Sequence, residues 1–194
     1  MKNFIHYCPK CGEKLIDRSN HVKKFFILVC DKCKYSLTDS SIVDISFKSK
    51  GIAKALSNLC PYPFEFDGVA CSSMEAFIQS LKVEDVEVQK DICSKTGPFC
   101  YSIREMHDDW RETQTVYWKG KRICRHGDEY FELIRKAYEA LINQSPLYYY
   151  ALKKAKDNGY ILQHSIGCKD SSETLLTEQE FIKALQYLIK HHIK

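Results

Sequence analysis

The spacing of apolar residues changes from a strand period to a helical period in the first half of the chain. Short apolar runs at Phe64–Phe66 and Val69–Cys71 flank Asp67-Gly68, a pair that tolerates positive φ, so they predict a β-hairpin with a two-residue turn. A hydroxyl of Ser72-Ser73 can then cap a helix. The predicted helix has one apolar face, because apolar residues recur at i, i+3, i+4 and i+7: Met74, Phe77, Ile78 and Leu81.

A polar stripe follows the same predicted helix. Glu75, Gln79 and Lys82 recur at i, i+4 and i+7, and their stripe lies about 115° around the helix from the apolar face. At the border of a buried face, a carboxylate and an amine can line a pocket. The alternative is a solvated charged face, which is the more common meaning of this spacing. The residues alone leave both interpretations open.

The rest of the chain alternates between helical and strand patterns. Thr177-x-x-Glu180 is a capping box that begins the last helix, and Ser145-Pro146 is an N-cap followed by proline at the first helical position. Other elements are predicted from apolar period and turn residues: a β-rich piece at 42–47, a helix over 83–95 ending at Thr96-Gly97-Pro98, a strand–turn–strand at 115–125, a helix after Asp128, a helix end at Asn158-Gly159 and a short strand at 160–162.

Residues 99–114 are less periodic and predict a short helix or an irregular loop. Within them, His107, Asp108 and Asp109 suggest a metal or acid–base site. The alternative is a solvated polar loop, which is the more common meaning of three adjacent polar residues.

Four cysteines near the N-terminus occur as two Cys-x-x-Cys pairs. Cys8 and Cys11 form one pair, Cys30 and Cys33 form the other, and 18 residues separate the two. Because each pair sits in a tight turn, the four thiolates can converge on one tetrahedral Zn²⁺. The alternative is a redox pair, but that needs a βαβ context, which this segment lacks. The spacing therefore predicts one structural zinc ion.

The predicted zinc ribbon covers residues 1–40, and a second domain covers residues 41–194. Lysine and arginine make the ribbon basic, so it can bind nucleic acid, bind a protein partner or brace its neighbour, and the sequence leaves these roles open. His6 and His21 lie close to the cysteines, but with four thiols available they are predicted to be bystanders. Because so small a unit buries little apolar surface, the metal is expected to supply most of its stability.

The composition and the apolar runs predict where the protein is located and whether it spans a membrane. The chain has 194 residues, 44% hydrophobic and 28% charged, and its net charge of +4 neither requires nor excludes a nucleic-acid partner. No segment approaches the roughly 20 apolar residues of a membrane helix, and the N-terminus lacks an apolar signal core. We therefore expect a cytoplasmic protein without membrane contact, whose cysteines are metal ligands or reduced, small buried residues.

A series of residues between positions 57 and 82 has an order found in a known family. The series is Ser57-Asn58, Pro61, Pro63-Phe64, Asp67-Gly68, Ser73, Glu75, Gln79 and Lys82. It resembles the opening signature of the NADAR (YbiA-like) family, which has a Ser-Asn-Phe loop, an Asp-Gly hairpin and a helix close to Ser-x-Glu-His-x-x-x-Gln-x-x-Lys. Two positions depart from that signature, because Leu59 replaces the phenylalanine and Ala76 replaces the histidine.

The resemblance extends over about residues 50–192. Trp118 and the long helix after His126 match a tryptophan and a helix that pack the NADAR core, and the last helix matches the closing one. Family members commonly have a glycine-rich loop before that helix, whereas residues 164–181 of this chain contain one glycine. The resemblance implies an α+β fold: a mainly helical NADAR-like domain with short strands, preceded by the small β zinc ribbon.

For function, the resemblance implies a hydrolase that cleaves an N-glycosidic bond. Characterised types act on phosphorylated riboflavin-pathway intermediates or remove ADP-ribose from guanine bases. The expected substrate is therefore ADP-ribose-like, small or linked to a base, or a riboflavin-pathway ribosyl compound. One alternative is a non-catalytic sensor of ADP-ribose or an NAD-derived nucleotide, with the ribbon recruiting nucleic acid or a protein. Another is a zinc-dependent nucleic-acid-binding module without a small-molecule site.

The chemistry of that reaction assigns roles to individual residues. Breaking a ribosyl–nitrogen bond builds positive charge on the ribose, which the Glu75 carboxylate would stabilise. Lys82 would either bind a phosphate or, if desolvated, attack an opened ribose as an amine nucleophile. The expected substrate-binding residues are Ser57, Asn58, Gln79, Trp118, His164 and Asp170. The alternatives are a core position for Trp118, a loop-bracing role for Asn58 and positions outside the pocket for His164 and Asp170.

Overall fold

The computed structural model describes residues 7–8, 10–18, 27–38, 41–96, 99 and 109–194. These residues form nine strands and seven helices, which confirms the prediction of a mixed fold with short strands. The likeness to a NADAR fold in particular stays a prediction. Several residues considered above lie outside the described ones: His6, His21, Gly97-Pro98, His107 and Asp108. Cys100, one of the cysteines expected to be small and buried, also lies outside them.

Three strands form the N-terminal ribbon, and the remaining elements follow it along the chain. The ribbon sheet is antiparallel, in the order β1-β2-β3, with β1 at Ile16–Asp17, β2 at Ile27–Val29 and β3 at Ser36–Thr38. The elements after it are β4 (Ile42–Asp44), α1 (Gly51–Ala55), β5 (Phe64–Phe66), β6 (Val69–Cys71), α2 (Met74–Ser80), α3 (Val86–Cys93), α4 (Trp110–Thr113), β7 (Thr115–Trp118), β8 (Lys121–Cys124), α5 (Asp128–Gln144), α6 (Pro146–Asp157), β9 (Ile161–Gln163) and α7 (Glu178–His191).

Helix α5 lies at the centre of the larger unit. It packs against α2, β5, β8, α6 and α7, so most of the core is built on it. Its inward face is a helical stripe of buried residues: Tyr130, Leu133, Ile134, Ala137, Tyr138, Leu141 and Ile142. The predicted N-termini of two helices are confirmed. At α6 the Ser145 hydroxyl accepts from the Tyr148 amide, and at α7 Thr177 and Glu180 form the capping box.

The β5–β6 hairpin has the predicted two-residue turn. Asp67 and Gly68 both adopt positive φ, 50° and 74°, which is the backbone of a type I′ turn. The alternation places Phe66 and Val69 in the core while Glu65 is exposed. The hairpin therefore fixes the start of α2, which follows it after the N-cap Ser73.

Helix α2 is shorter than the polar stripe predicted. It ends at Ser80, and the amides of Lys82 and Val83 turn back to the carbonyls of Gln79 and Ser80, each at 3.3 Å. Because Asp85 then caps α3, the chain has to leave the helix direction within these few residues. Lys82 therefore lies in a turn and not on the helix, and its position depends on that turn.

A parallel strand pair joins distant parts of the chain. β4 pairs with β9 in the register Ile42–Ile161, which the sequence did not indicate. The ribbon contacts the same region, because the Tyr35 hydroxyl donates to the Gly159 carbonyl. Gly159 has a φ of +63°, and a Cβ there would lie 2.9 Å from the Tyr35 ring, so both the backbone and the contact require glycine.

No helix among the described residues is long and apolar enough to cross a bilayer. Of the cysteines outside the ribbon, Cys60, Cys71 and Cys93 are buried as predicted. Cys124 is exposed and Cys168 is half-buried, so the prediction of small buried residues was wrong for these two.

Candidate functional site

The four ribbon cysteines form a compact cluster. The sulfurs of Cys8, Cys11, Cys30 and Cys33 all lie within 4.8 Å of one another, with Cys8 and Cys33 3.4 Å apart and Cys11 and Cys30 3.5 Å apart. A tetrahedron with Zn–S bonds of about 2.3 Å has S–S edges of about 3.8 Å, so the cluster has the size that a zinc ion requires.

The two turns that carry these cysteines are built alike. The amides of Gly12 and Lys34 donate to the carbonyls of Cys8 and Cys30, both at 2.9 Å, and both turn residues have positive φ. The backbone amide of Cys33 and hydrogen bonds with neighbouring thiols lower the pKa of the Cys30 thiol to about 7. The amides of Glu13 and Tyr35 act in the same direction at Cys11 and Cys33, but burial and hydrogen bonds to other thiols outweigh them and raise the pKa of both. Amides that favour a thiolate also favour a metal bond. The residues present therefore fit a closed, four-thiolate zinc site.

We expect one tightly bound zinc ion per chain, measured by elemental analysis of protein purified without chelators. Cys30→Ser should lose most of that zinc, because a neutral hydroxyl is a poor replacement for a thiolate. Cys124→Ser, at an exposed cysteine of β8, is the control and should keep it. Wild-type protein without zinc would contradict the assignment.

A second candidate site is an open cleft of about 680 Å³ on the larger unit. This volume lies in the range of small-molecule sites. Five segments form its walls: the turn after β4, the loop after α1, α2 with its following turn, α4, and the loop between β9 and α7 together with the first turn of α7. Six of the residues predicted for a substrate site line it: Ser57, Asn58, Glu75, Gln79, Lys82 and His164.

The Glu75 carboxylate is held by its neighbour on α2. Gln79 Nε2 donates to Glu75 Oε1 at 2.9 Å, one helical turn away. Gln79 is 6% exposed and Lys82 is 7% exposed, so two of the three polar side chains in this wall are largely withdrawn from solvent. The stripe read from the sequence is therefore a cleft wall and not a solvated face.

The loop after α1 is anchored to this wall by hydrogen bonds. The Glu75 amide donates to the Asn58 carbonyl at 2.9 Å, and the Tyr138 hydroxyl donates to Asn58 Oδ1 at 2.8 Å. Burial raises the pKa of Tyr138 well above its ordinary value, so this hydroxyl keeps its proton and remains the donor. Asn58 Oδ1 is thus occupied, and Nδ2 is the amide atom of Asn58 that can donate to a ligand.

His164 enters the cleft from the loop after β9. Its Nδ1 lies 2.7 Å from the Ile45 carbonyl, and because a carbonyl only accepts, Nδ1 carries the proton and Nε2 is the other ring nitrogen. The ring packs edge-on against Phe181. Gly167 lies close to the His164 ring, since a Cβ at position 167 would be 2.7 Å from that ring. The single glycine of this loop is therefore a packing requirement.

A buried arginine holds the wall formed by the β9–α7 loop. Arg125 is fully buried, its Nη2 lies 2.7 Å from Glu180 Oε2, and its Nε and Nη2 donate to the Thr174 carbonyl at 3.2 and 3.1 Å. Its guanidinium also stacks over the Tyr130 ring at 4.5 Å. The Tyr130 hydroxyl donates to the next wall residue, Leu175. This cluster fixes the wall without itself lining the cleft.

Trp118 and Asp170 are not among the residues that line the cleft. Trp118 is 5% exposed, packs between Phe66 and Phe77, and donates from Nε1 to Asp67 Oδ2 at 3.0 Å, so it has the core position considered as its alternative. Asp170 is exposed and caps its own turn through Ser172, whose hydrogen bonds lower the pKa of this carboxyl.

Several cleft residues were not indicated by the sequence. Trp110 on α4 is 2% exposed and lines the cleft, as do Lys48, Arg111, Glu173 and Cys168. The Arg111 guanidinium donates to the Glu173 carbonyl and so joins α4 to the β9–α7 loop. Trp110 directly follows the polar run at 107–109, and the only signal for it was an isolated aromatic residue in an aperiodic segment.

Comparison with known proteins identifies the family. A family model described as bacteriophage protein GP30.3 matches residues 50–190, which include the polar wall of the cleft but not the four cysteines. An uncharacterized 17.1 kDa protein in the Gp30-rIII intergenic region of Enterobacteria phage T4 is 33% identical over 135 residues, covering 69% of this chain and 88% of that protein. No solved structure matches the chain. Neither description names an activity or the NADAR family. The chain belongs to the bacteriophage protein GP30.3 family.

Proposed function

We propose that the cleft hydrolyses an N-glycosidic bond between a ribose and a nitrogenous base. The observation that carries the proposal is the Glu75 carboxylate, held by Gln79 in a cleft that also contains the largely buried amine of Lys82. The resemblance to the NADAR signature names the same three residues. The proposed substrate is ADP-ribose linked to a base or a ribosyl intermediate of the riboflavin pathway.

The reaction needs a group that stabilises a ribosyl cation. As the bond from C1 to nitrogen breaks, its electron pair leaves with the base, and positive charge spreads over C1 and the ring oxygen. The Glu75 carboxylate opposes that charge, and it can also align the water whose oxygen bonds to C1. Water then supplies one proton to the base. Because Gln79 fixes the carboxylate before the substrate arrives, little reorganisation is needed during the reaction.

The cationic residues of the cleft fit the phosphate part of such a substrate. Lys48, Lys82 and Arg111 line it together with the two acids Glu75 and Glu173. A diphosphate needs this local excess of positive charge, whereas the carboxylate has to face the ribose. A zinc ion held by the four cysteine thiolates would have a closed coordination shell, so we propose no part for it in the reaction.

The two roles considered for Lys82 predict different results for Lys82→Met. If the amine binds phosphate, the variant should bind ADP-ribose at least about tenfold more weakly and keep a measurable turnover at saturation. If the amine is the nucleophile, turnover should vanish while part of the affinity remains. Calorimetry and single-turnover kinetics separate these results, with Lys90→Met on the exposed side of α3 as control.

The proposal itself is tested by incubating the protein with ADP-ribosylated guanosine and, separately, with phosphorylated ribosyl intermediates of riboflavin synthesis. The expected result, followed by chromatography, is release of guanosine and ADP-ribose from the first compound or of the nitrogenous base from the second. Tight binding of ADP-ribose without any base release would contradict hydrolysis and would favour a sensor of ADP-ribose instead.

A further inference from the structure

Two buried polar atoms of the cleft wall have no hydrogen-bond partner among the described residues: Gln79 Oε1 and Trp110 Nε1. Gln79 is 6% exposed and Trp110 is 2% exposed, and both line the cleft. A buried polar atom without a partner has lost its hydrogen bond to water and gained nothing in return, which is unfavourable. Both side chains border the same cleft, so a ligand can satisfy both atoms if the side chains that now cover them shift.

The hydrogen-bonding polarity of each atom is fixed. Gln79 Nε2 donates to the Glu75 carboxylate, and because an ionised carboxylate only accepts, the amide orientation is set and Oε1 is the acceptor left over. The indole N–H of Trp110 only donates. A ligand that satisfies the pair must therefore donate to Gln79 and accept from Trp110. Hydroxyl groups do both.

The position of the pair relates it to the sugar. Gln79 is bonded to Glu75, so a ligand group on Gln79 Oε1 lies next to the carboxylate that would face the ribosyl cation. Trp110 and Lys82 also share the border of a second cavity, of about 350 Å³, which places the indole beside the turn that follows α2. Gln79 thus lies beside Glu75, and Trp110 lies beside the turn that carries Lys82.

We propose that Gln79 Oε1 and Trp110 Nε1 bind hydroxyl groups of the ribose whose bond to nitrogen is cleaved, which makes Trp110 a substrate-binding residue. The ligand class rests on the proposed function. Trp110 then takes a role that the sequence had suggested for Trp118, although by donating a hydrogen bond and not by stacking on a base. Gln79 has two tasks, because one amide atom orients Glu75 and the other holds the sugar.

The chain contains two tryptophans, which allows a direct optical test. In Trp118→Phe, Trp110 is the only indole, and adding ADP-ribose should change its emission because a ligand oxygen replaces its present surroundings. In Trp110→Phe the remaining indole is Trp118, which is paired with Asp67 in the core, and its emission should stay constant. Constant emission in Trp118→Phe while calorimetry shows that ADP-ribose binds would overturn the inference.

A comparison of two ligands separates a binding role from a structural one. Trp110→Phe should weaken ADP-ribose binding about five- to tenfold, the size of one lost hydrogen bond, and Gln79→Met by at least as much, because it also releases the Glu75 carboxylate. Neither should change the affinity for ADP, which lacks the terminal ribose, and Trp118→Phe should change neither affinity. Equal losses for both ligands in folded variants would overturn the inference, as would a wild-type protein that binds no ADP-ribose.

The results that would contradict the proposed hydrolysis differ from those that would contradict the ribose contacts. If ADP-ribose binds with the predicted sensitivities but no substrate is cleaved, hydrolysis is wrong and the ribose contacts stand. If a ribosyl substrate is cleaved and Trp110→Phe leaves its affinity and turnover unchanged, the hydrolysis stands and the ribose contacts are wrong. If Trp110→Phe does not fold, the emission of Trp118→Phe still tests the inference, because that variant retains Trp110.

Discussion

Glu75→Gln is expected to bind ADP-ribose about as well as the wild type and to turn over substrate at least about a hundredfold more slowly. The amide keeps the shape of the side chain and still accepts from Gln79, so the wall of the cleft should be preserved. What it loses is the negative charge that opposes the ribosyl cation. Calorimetry measures the first quantity, and single-turnover base release measures the second.

The control for this substitution is Glu87→Gln on α3. Glu87 is exposed, pairs with Lys90 and does not line the cleft, so the same change of charge should leave turnover within about twofold of the wild type. Equal turnover in Glu75→Gln and wild type on a verified substrate would remove Glu75 from the site. A loss of affinity with unchanged turnover at saturation would indicate that the carboxylate contributes to binding and gives no extra stabilisation of the transition state.

Arg125→Met is expected to lower the free energy of unfolding by about 3–5 kcal/mol. The guanidinium is fully buried, so its loss leaves the Glu180 carboxylate without its partner and the Thr174 carbonyl without two donors. Denaturant unfolding followed by circular dichroism measures the effect. Arg122→Met is the matched control, because Arg122 lies on β8, three residues before Arg125, is exposed and should cost less than about 1 kcal/mol.

A second substitution tests the reason for that loss. Adding Glu180→Gln to Arg125→Met removes the uncompensated charge, so the double variant should be more stable than the sum of the two single losses predicts. Burial opposes ionisation of Glu180, but hydrogen bonds from Arg125 and the Thr177 amide outweigh burial and lower its pKa. The ionised carboxylate therefore stabilises the wild type above its unfolded-state pKa, and this contribution is lost as the pH falls through the folded-state pKa. Strict additivity would contradict the ion-pair explanation.

Elements specified by local chemistry could be predicted from the sequence. The Asp67-Gly68 turn, the Ser73 and Ser145 caps and the Thr177 capping box each depend on residues within a few positions of one another. The cysteine cluster is of the same kind, because two local turns create it. These elements also place Glu75 and Gln79, since the hairpin and the cap fix where α2 begins.

Features that depend on distant contacts could not be predicted in this way. The parallel pairing of β4 with β9 brings residues more than a hundred positions apart together, and it places His164 beside Ile45. Lys82 reached the cleft for a reason other than the predicted one, because α2 ends before it and a turn carries it there. The spacing of polar residues along an assumed continuous helix could not predict that the helix ends at Ser80 and that a turn follows.

The two tryptophans show the same limit at the level of single residues. Both are large aromatic side chains in polar surroundings, and the sequence offers no rule that separates a core indole from a cleft indole. The difference lies in a tertiary contact: Trp118 Nε1 donates to Asp67, whereas Trp110 Nε1 has no partner among the described residues. Arg125 was missed for a similar reason, since its partner Glu180 is 55 positions away.

The central claim is that this cleft hydrolyses a ribosyl–nitrogen bond through Glu75. Its most direct test is a chromatographic time course of ADP-ribosylated guanosine with wild type and with Glu75→Gln at equal, saturating binding. The account predicts that the wild type releases guanine-containing product and ADP-ribose in equal amounts, and that Glu75→Gln holds the substrate intact over the same period. Bound but uncleaved substrate in the wild type, or equal release by both proteins, would contradict the claim for this substrate class.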